Sequence, residues 1–254
     1  MIGVSSVLAW VMLTGFIGLA PLALSSGIPD ARGSSWAWLA VAGVANVVGL
    51  PLVYAGLRLG KVGIVAAIAS TEGAVTAVIA IAAGERIGPA TGATLAVIAG
   101  GVFLAALAPD RGTLNEDARR AAWLAAGAAL VFGFGLYAAG RVSNEVPAAW
   151  VALPPRAIGV TAVALPLAMS GRLKLTKQAI PLVVTSGVCE VIGFLSFTVG
   201  ARHAIAIAAV LASQFAALAA LGAFLLFRER LAGLQLTGVA TIVAGVAVLS
   251  ALRS

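Results

Sequence analysis

The chain has 254 residues, of which 61% are hydrophobic and only 10% charged, against about 25% charged in an average soluble domain. A globule of this size has too little interior to hide so much apolar surface, and a disordered chain would be rich in charge instead. The net charge of +7 comes from sixteen basic residues scattered between apolar blocks, which suits topology signals and headgroup anchors rather than a nucleic-acid surface. A polytopic α-helical membrane protein is the class that remains.

Nine apolar blocks approach the roughly 20 residues that a bilayer span needs. They are 3–26, 36–57, 62–84, 89–109, 120–140, 148–170, 179–200, 204–227 and 232–252. Pro51 in the second block and Pro154-Pro155 in the sixth predict a break or kink there. The connections are short and hold most of the charge, and the longest, Asp110 to Arg120, divides the chain. Trp10, Trp36, Trp38, Trp123 and Trp150 fall near block ends, as an aromatic belt requires. No Lys or Arg precedes Arg32, so a secretory signal does not fit. With one cysteine, Cys189, and one histidine, His203, the sequence holds no Cys or His cluster, and neither metal nor cofactor is expected.

The two halves repeat. An ungapped offset of 144 residues lays Gly43-Val44 on Gly187-Val188, Gly49 on Gly193, Gly56 on Gly200 and Arg58 on Arg202. The same offset lays Glu85-Arg86 on Glu229-Arg230, Ile98 on Ile242 and Gly101-Val102 on Gly245-Val246. Helices one to four thereby match helices six to nine, five helices apart. An odd separation inverts one half relative to the other in the membrane, the inverted-repeat architecture of secondary transporters. The fifth helix, 120–140, has no partner, so the chain reads as a ten-helix 5+5 architecture lacking its first helix. The expectation is that this helix is encoded upstream of Met1. Residues 1–109 then form the first repeat (four helices), 110–119 the inter-repeat loop, and 120–254 the second repeat (five helices).

At these residues the chain resembles the drug/metabolite transporter superfamily, in particular its EamA-like family. Gly84-Glu85-Arg86-Ile87 and Arg228-Glu229-Arg230-Leu231 look like the family's Glu-Arg turn after the fourth helix of each repeat. Each precedes a Gly/Ala-rich helix ending in Ala-Gly-Gly-Val (99–102) or Val-Ala-Gly-Val (243–246). The resemblance implies a ten-helix secondary carrier, many of which export amino acids or other small metabolites. It says almost nothing about the individual substrate.

Ionisable groups at membrane depth are expensive and tend to be functional. Glu72 lies eleven residues after Lys61, about 16 Å along a helix and near the bilayer midplane. Glu190 is in the middle of 179–200, at the repeat position of Asn46. The pair reads as protonatable carboxyls or partners for a substrate ammonium, or else as neutral acids hydrogen-bonded between helices. Arg156 follows the proline pair directly. It suits a carboxylate-bearing substrate or a partner for Glu72 or Glu190, the plainer alternative being a snorkelling guanidinium. Asn46, Tyr54, Gln214, Ser70, Thr71 and Thr76 are placed to line the same cavity, although for single hydroxyls and amides helix–helix hydrogen bonding is the commoner role. Ser186, Cys189, Gly193, Ser196 and Gly200 form a small-residue stripe beside Glu190. The Glu85-Arg86 and Glu229-Arg230 turns read first as interfacial ion pairs that cap helices and second as gates.

The sequence contains no zinc-protease, nucleophile-elbow or P-loop pattern and no paired-aspartate lipid-synthase pattern. An intramembrane enzyme acting on a lipid-soluble substrate is therefore the alternative, and no catalytic residue is assigned. The expected function is secondary active export of small polar metabolites such as amino acids across the bacterial cytoplasmic membrane, with proton coupling as an option. The expected partners are a small-molecule substrate and the lipid bilayer, with no nucleic acid; a homodimer is left open.

Overall fold

The computed structural model describes residues 3–60, 62–106, 116–214 and 233–252. Among them the secondary structure is helical throughout, with no strand. The helices are α1 (Val4–Ser25), α2 (Gly33–Leu59), α3 (Val62–Ala69), α4 (Glu72–Ala82) and α5 (Pro89–Ala106), followed by α6 (Glu116–Val142). Then come α7 (Ala148–Met169), α8 (Ile180–Ala201), α9 (Ile205–Ala212) and α10 (Gly233–Ala251). Five of these, α1, α2, α6, α7 and α8, are each long and apolar enough to cross a bilayer. In lipid a spanning segment must satisfy its own backbone, and a helix does so without help from neighbours.

Two expectations are corrected at the backbone. Of the break or kink expected at the prolines, a break does not occur: α2 runs through Pro51, and α7 runs through Pro154 and Pro155. Each proline removes a single N–H, and packed neighbours tolerate that loss inside a membrane. The irregularity of α7 comes later. Val160–Ala164 form a π turn in which the N–H of Leu165 bonds to the carbonyl of Val160. The Thr161 hydroxyl donates toward the carbonyls of Ala157 and Ile158, at 2.9 and 3.1 Å, in the turn just before it.

The second correction concerns the blocks 62–84 and 204–227, which sequence periodicity reads as continuous. Block 62–84 breaks at Ser70-Thr71 into α3 and α4, and α9 ends in a turn at Ser213-Gln214. The remainder of block 204–227 lies outside the described residues, as do the Glu229-Arg230 turn and most of the inter-repeat loop. Ser70 and Gln214 are 144 residues apart, so the two turns overlap at that position under the repeat offset.

The chain divides into two compact units, Met1–Val47 with Ala138–His203, and Val48–Tyr137 with Ala204–Ser254. In the first, α1 packs on α7 and α8. Leu19, Ala23, Ala149 and Ala152 form a core covered by Trp150, Leu153, Val191, Phe194 and Leu195. Trp150 donates its indole N–H to the carbonyl of Gly27 (2.8 Å) and meets Trp36 edge to face.

In the second unit α5 lies along α10, and α4 lies on α9. The α5–α10 contact is reciprocal: Gly101 faces Ile242, and Gly245 faces Ile98. Three residues forward on α5 is three residues back on α10, so the pair is antiparallel at this crossing. These four residues exchange places under the 144-residue offset.

At the far end of α4, Gly84 adopts φ +102°, and the N–H of Glu85 bonds to the carbonyl of Ala80 (2.9 Å). This is a helix ending closed by a left-handed glycine. It turns Glu85 toward the start of α9.

Candidate functional site

Each unit carries its own polar focus. In the first unit Arg156 projects from α7 and is 1% exposed. Its Nη2 lies 3.1 Å from Oε1 of Glu190 on α8, whose side chain is 31% exposed. The guanidinium carbon sits 5.2 Å from the centre of the Phe194 ring, one helical turn beyond Glu190, within cation–π range. On the α1 side the neighbour is Gly15, where a Cβ would stand 3.0 Å from Arg156 Cγ and 3.2 Å from Val191 Cγ2. Glycine at 15 is thus what lets α1 close over the arginine.

The contact with Glu190 is a charge pair and not an aligned hydrogen bond. Among the described residues neither Nη1 nor Nη2 of Arg156 has a hydrogen-bond acceptor in line with its protons. Buried donors left in this state are costly. Of the two partners open to Arg156 in the sequence, Glu190 is the one in contact. Asn46, the repeat mate of Glu190, sits on α2 with a buried Oδ1 that has no donor among the described residues.

In the second unit the focus is the break between α3 and α4. Thr71 donates its hydroxyl back to the carbonyl of Ile68 (2.7 Å), Glu72 opens α4, and Ser70 is buried. The ending of α9 comes to the same place. A Cβ on Gly73 would lie 2.5 Å from the carbonyl oxygen of Ala209 and would collide with Ser213, so glycine permits the two backbones to touch. Ser213 is buried, and the Nε2 of Gln214 is buried without an acceptor among the described residues. Thr76 is fully buried, its hydroxyl between the carbonyls of Glu72 and Gly133, both at 2.9 Å. It fastens α4 to α6 instead of facing open space. Tyr54 is half-buried on α2.

A model of the EamA-like transporter family matches residues 2–107. That stretch is similar to the EamA-like transporter family. The likeness agrees with the five helices that are long and apolar enough to cross a bilayer. Solved structures share the architecture: one crystal structure of a protein superposes with a TM-score of 0.80 at 18% identity, covering 99% of this chain and 90% of that one. A likeness at that identity speaks for the fold alone. No curated protein matches the sequence. The EamA-like stretch contains Asn46, Tyr54, Glu72 and Thr76, while Arg156, Glu190 and Gln214 lie beyond residue 107.

Sequence reasoning did not single out Gly15, Phe194 or Ser213 as site residues. Phe194 was detectable as the aromatic four positions after Glu190, on the same helical face. Ser213 was detectable as half of a polar pair that interrupts an apolar run where Ser70-Thr71 interrupts its repeat mate. The Glu85-Arg86 turn does cap a helix, as expected of it: the Glu85 carboxylate accepts the N–H groups of Ile205 (3.0 Å) and Ala206 (3.2 Å) at the start of α9, while Arg86 is exposed.

Proposed function

We propose that this chain is a secondary active carrier that exports small polar metabolites, such as amino acids, across the bacterial cytoplasmic membrane with protons as the coupling ion. The observation that carries the reading is the broken helix α3–α4, with Glu72 at the break and the polar ending of α9 against it. Discontinuous spans of this kind release backbone groups for a polar cargo at membrane depth, where lipid offers none. The EamA-like match supports transport, not chemistry, as the activity.

The two repeats of the proposed carrier are 1–109 and 120–254, inverted in the membrane. The reciprocal antiparallel contact of Gly101 with Ile242 and Gly245 with Ile98 supports this. Repeats related by an axis along the membrane normal would bring α5 and α10 together parallel. Glu72 and Glu190 are the proposed proton carriers. Among the described residues Glu190 is paired with Arg156.

Proteoliposomes loaded with a panel of labelled metabolites test the proposal. A pH gradient is expected to drive flux of at least one amino acid without chemical change. Glu72→Gln and Glu190→Gln keep shape and polarity while removing titration. Normal flux with unchanged pH dependence in both variants would end the proton-coupling reading, and chemical conversion of the cargo would end the carrier reading.

A further inference from the structure

We propose that Arg156 is a carboxylate-binding pole within the first unit and that Glu190 is its resident counter-ion, displaced when a ligand carboxylate arrives. The inference takes the ligand to be the transported molecule and so rests on the carrier reading above.

Three features carry it. The guanidinium has five N–H donors in a planar fork, and among the described residues its two terminal nitrogens have no aligned acceptor although the side chain is buried. A carboxylate matches that fork with two parallel hydrogen bonds. The single Nη2–Oε1 approach of Glu190 does not. Phe194 covers the guanidinium on one side and Gly15 leaves α1 pressed against its stem, so the fork is held in place before any ligand arrives, which lowers the ordering cost of binding.

The third feature is the surface of α8. Of the two exposed faces of α8, Glu190 adjoins only one. Val184, Val188, Ile192 and Val199 form a uniformly apolar face, suited to lipid. Ser186, Cys189, Gly193 and Ser196 are exposed on a different face that adjoins Glu190. Small and hydroxylated side chains there give a polar molecule a path to the carboxylate that the apolar face would deny. The displaced Glu190 stays tethered to α8, so the charge balances only when its carboxylate turns to the exposed side of the helix or takes up a proton as the ligand carboxylate replaces it.

Cys189 precedes Glu190, is exposed, and is the single cysteine of the chain, so the native protein carries its own reporter. The full chain in nanodiscs is treated with an anionic methanethiosulfonate reagent in the presence of propionate or of propionamide, at matched ionic strength. Propionate is expected to slow modification of Cys189 and propionamide is not. Removing the competitor with Glu190→Gln leaves the buried guanidinium without its counter-ion and should lower the propionate concentration required by about tenfold, or about 1.4 kcal/mol. Arg156→Gln should abolish protection. Where the Gln variant at 190 does not fold, Glu190→Asp withdraws the carboxylate by one methylene and should shift the requirement in the same direction.

Equal effects of propionate and propionamide, or propionate protection that survives Arg156→Gln, would overturn the pole. The readout does not depend on flux. A chain that carries metabolites but shows no propionate protection loses the pole and keeps the carrier reading, and protection without flux has the opposite meaning.

Discussion

Removing the Glu85 carboxylate should loosen the start of α9 and little else. Ile205 and Ala206 occupy the first turn of that helix, where N–H groups have no acceptor within the helix. The residue before them cannot help, because Ala204 has extended backbone (φ −162°, ψ 116°) and only a methyl group to offer. The cap is therefore supplied from the turn after α4, one carboxylate oxygen to each N–H, at 3.0 and 3.2 Å. Losing a side-chain cap costs about 0.5–2 kcal/mol, and losing an anion from a helix N-terminus about 0.3–1 kcal/mol. Glu85 is half-exposed, so solvent screening trims the second contribution. A net of about 1–2 kcal/mol follows for Glu85→Ala, or roughly 5- to 30-fold faster exchange through local opening. Glu85→Gln keeps one acceptor oxygen and should lose about half of that. Hydrogen exchange read by mass spectrometry over 203–212, on protein in nanodiscs, measures the effect directly. The exposed neighbour supplies the control, Arg86→Ala, which should leave those amides alone. Unchanged exchange at Ile205 and Ala206 in Glu85→Ala, or an equal change in Arg86→Ala, would refute the cap.

Gly73→Ala should lower the melting temperature in detergent by forcing α4 off the Ala209 carbonyl, an overpacking cost of about 1–3 kcal/mol; Gly100→Ala, whose Cβ meets nothing within 4 Å, should melt as wild type, and equal melting of both variants would contradict the close crossing. Thr76→Val removes the hydroxyl between α4 and α6 and should cost about 0.6 kcal/mol, as is usual for helix–helix hydrogen bonds in membranes; a more stable variant in denaturant unfolding would show that the hydroxyl contributes nothing. Arg58, Lys61, Arg111, Arg119, Arg120, Arg172, Lys174, Lys177, Arg228 and Arg230 fall on one side of the predicted topology, against Arg32, Arg86, Arg141, Arg202 and Arg253 on the other. The positive-inside rule then places the C-terminus outside the cytoplasm, and a reporter active only in the cytoplasm should stay silent when fused after Ser254.

The helices were legible where composition alone decides them. Pro89–Ala106, Ile180–Ala201 and Gly233–Ala251 stand within a few residues of apolar blocks, because a bilayer demands length and hydropathy and little else. The breaks were not. Ser70-Thr71 and Ser213-Gln214 are short polar interruptions that a hydropathy window averages away, and whether the backbone turns there depends on what packs against it, here Gly73 against Ala209. Arg156 and Glu190 were visible as misfits in an apolar chain. Their pairing was one option of two, because topology and not spacing brings α7 beside α8. Glu85 reaches Ile205 across 120 positions of sequence, and no local pattern encodes such a tie.

The π turn of α7 also has a consequence for the gene. A turn that closes on the fifth residue holds one residue more than the α-helix around it. Losing a single codon between Val160 and Ala164 would restore the ordinary register while leaving Leu165–Met169 and the turn beyond them in their places. The same loss near Arg156 would swing every later side chain of α7 by about 100°, carrying lipid-facing residues inward. Changes of length are normally confined to loops, where no register has to be kept. Here a membrane span offers a position that can absorb one, and alignments of related chains should place a one-residue gap inside the bilayer at that point.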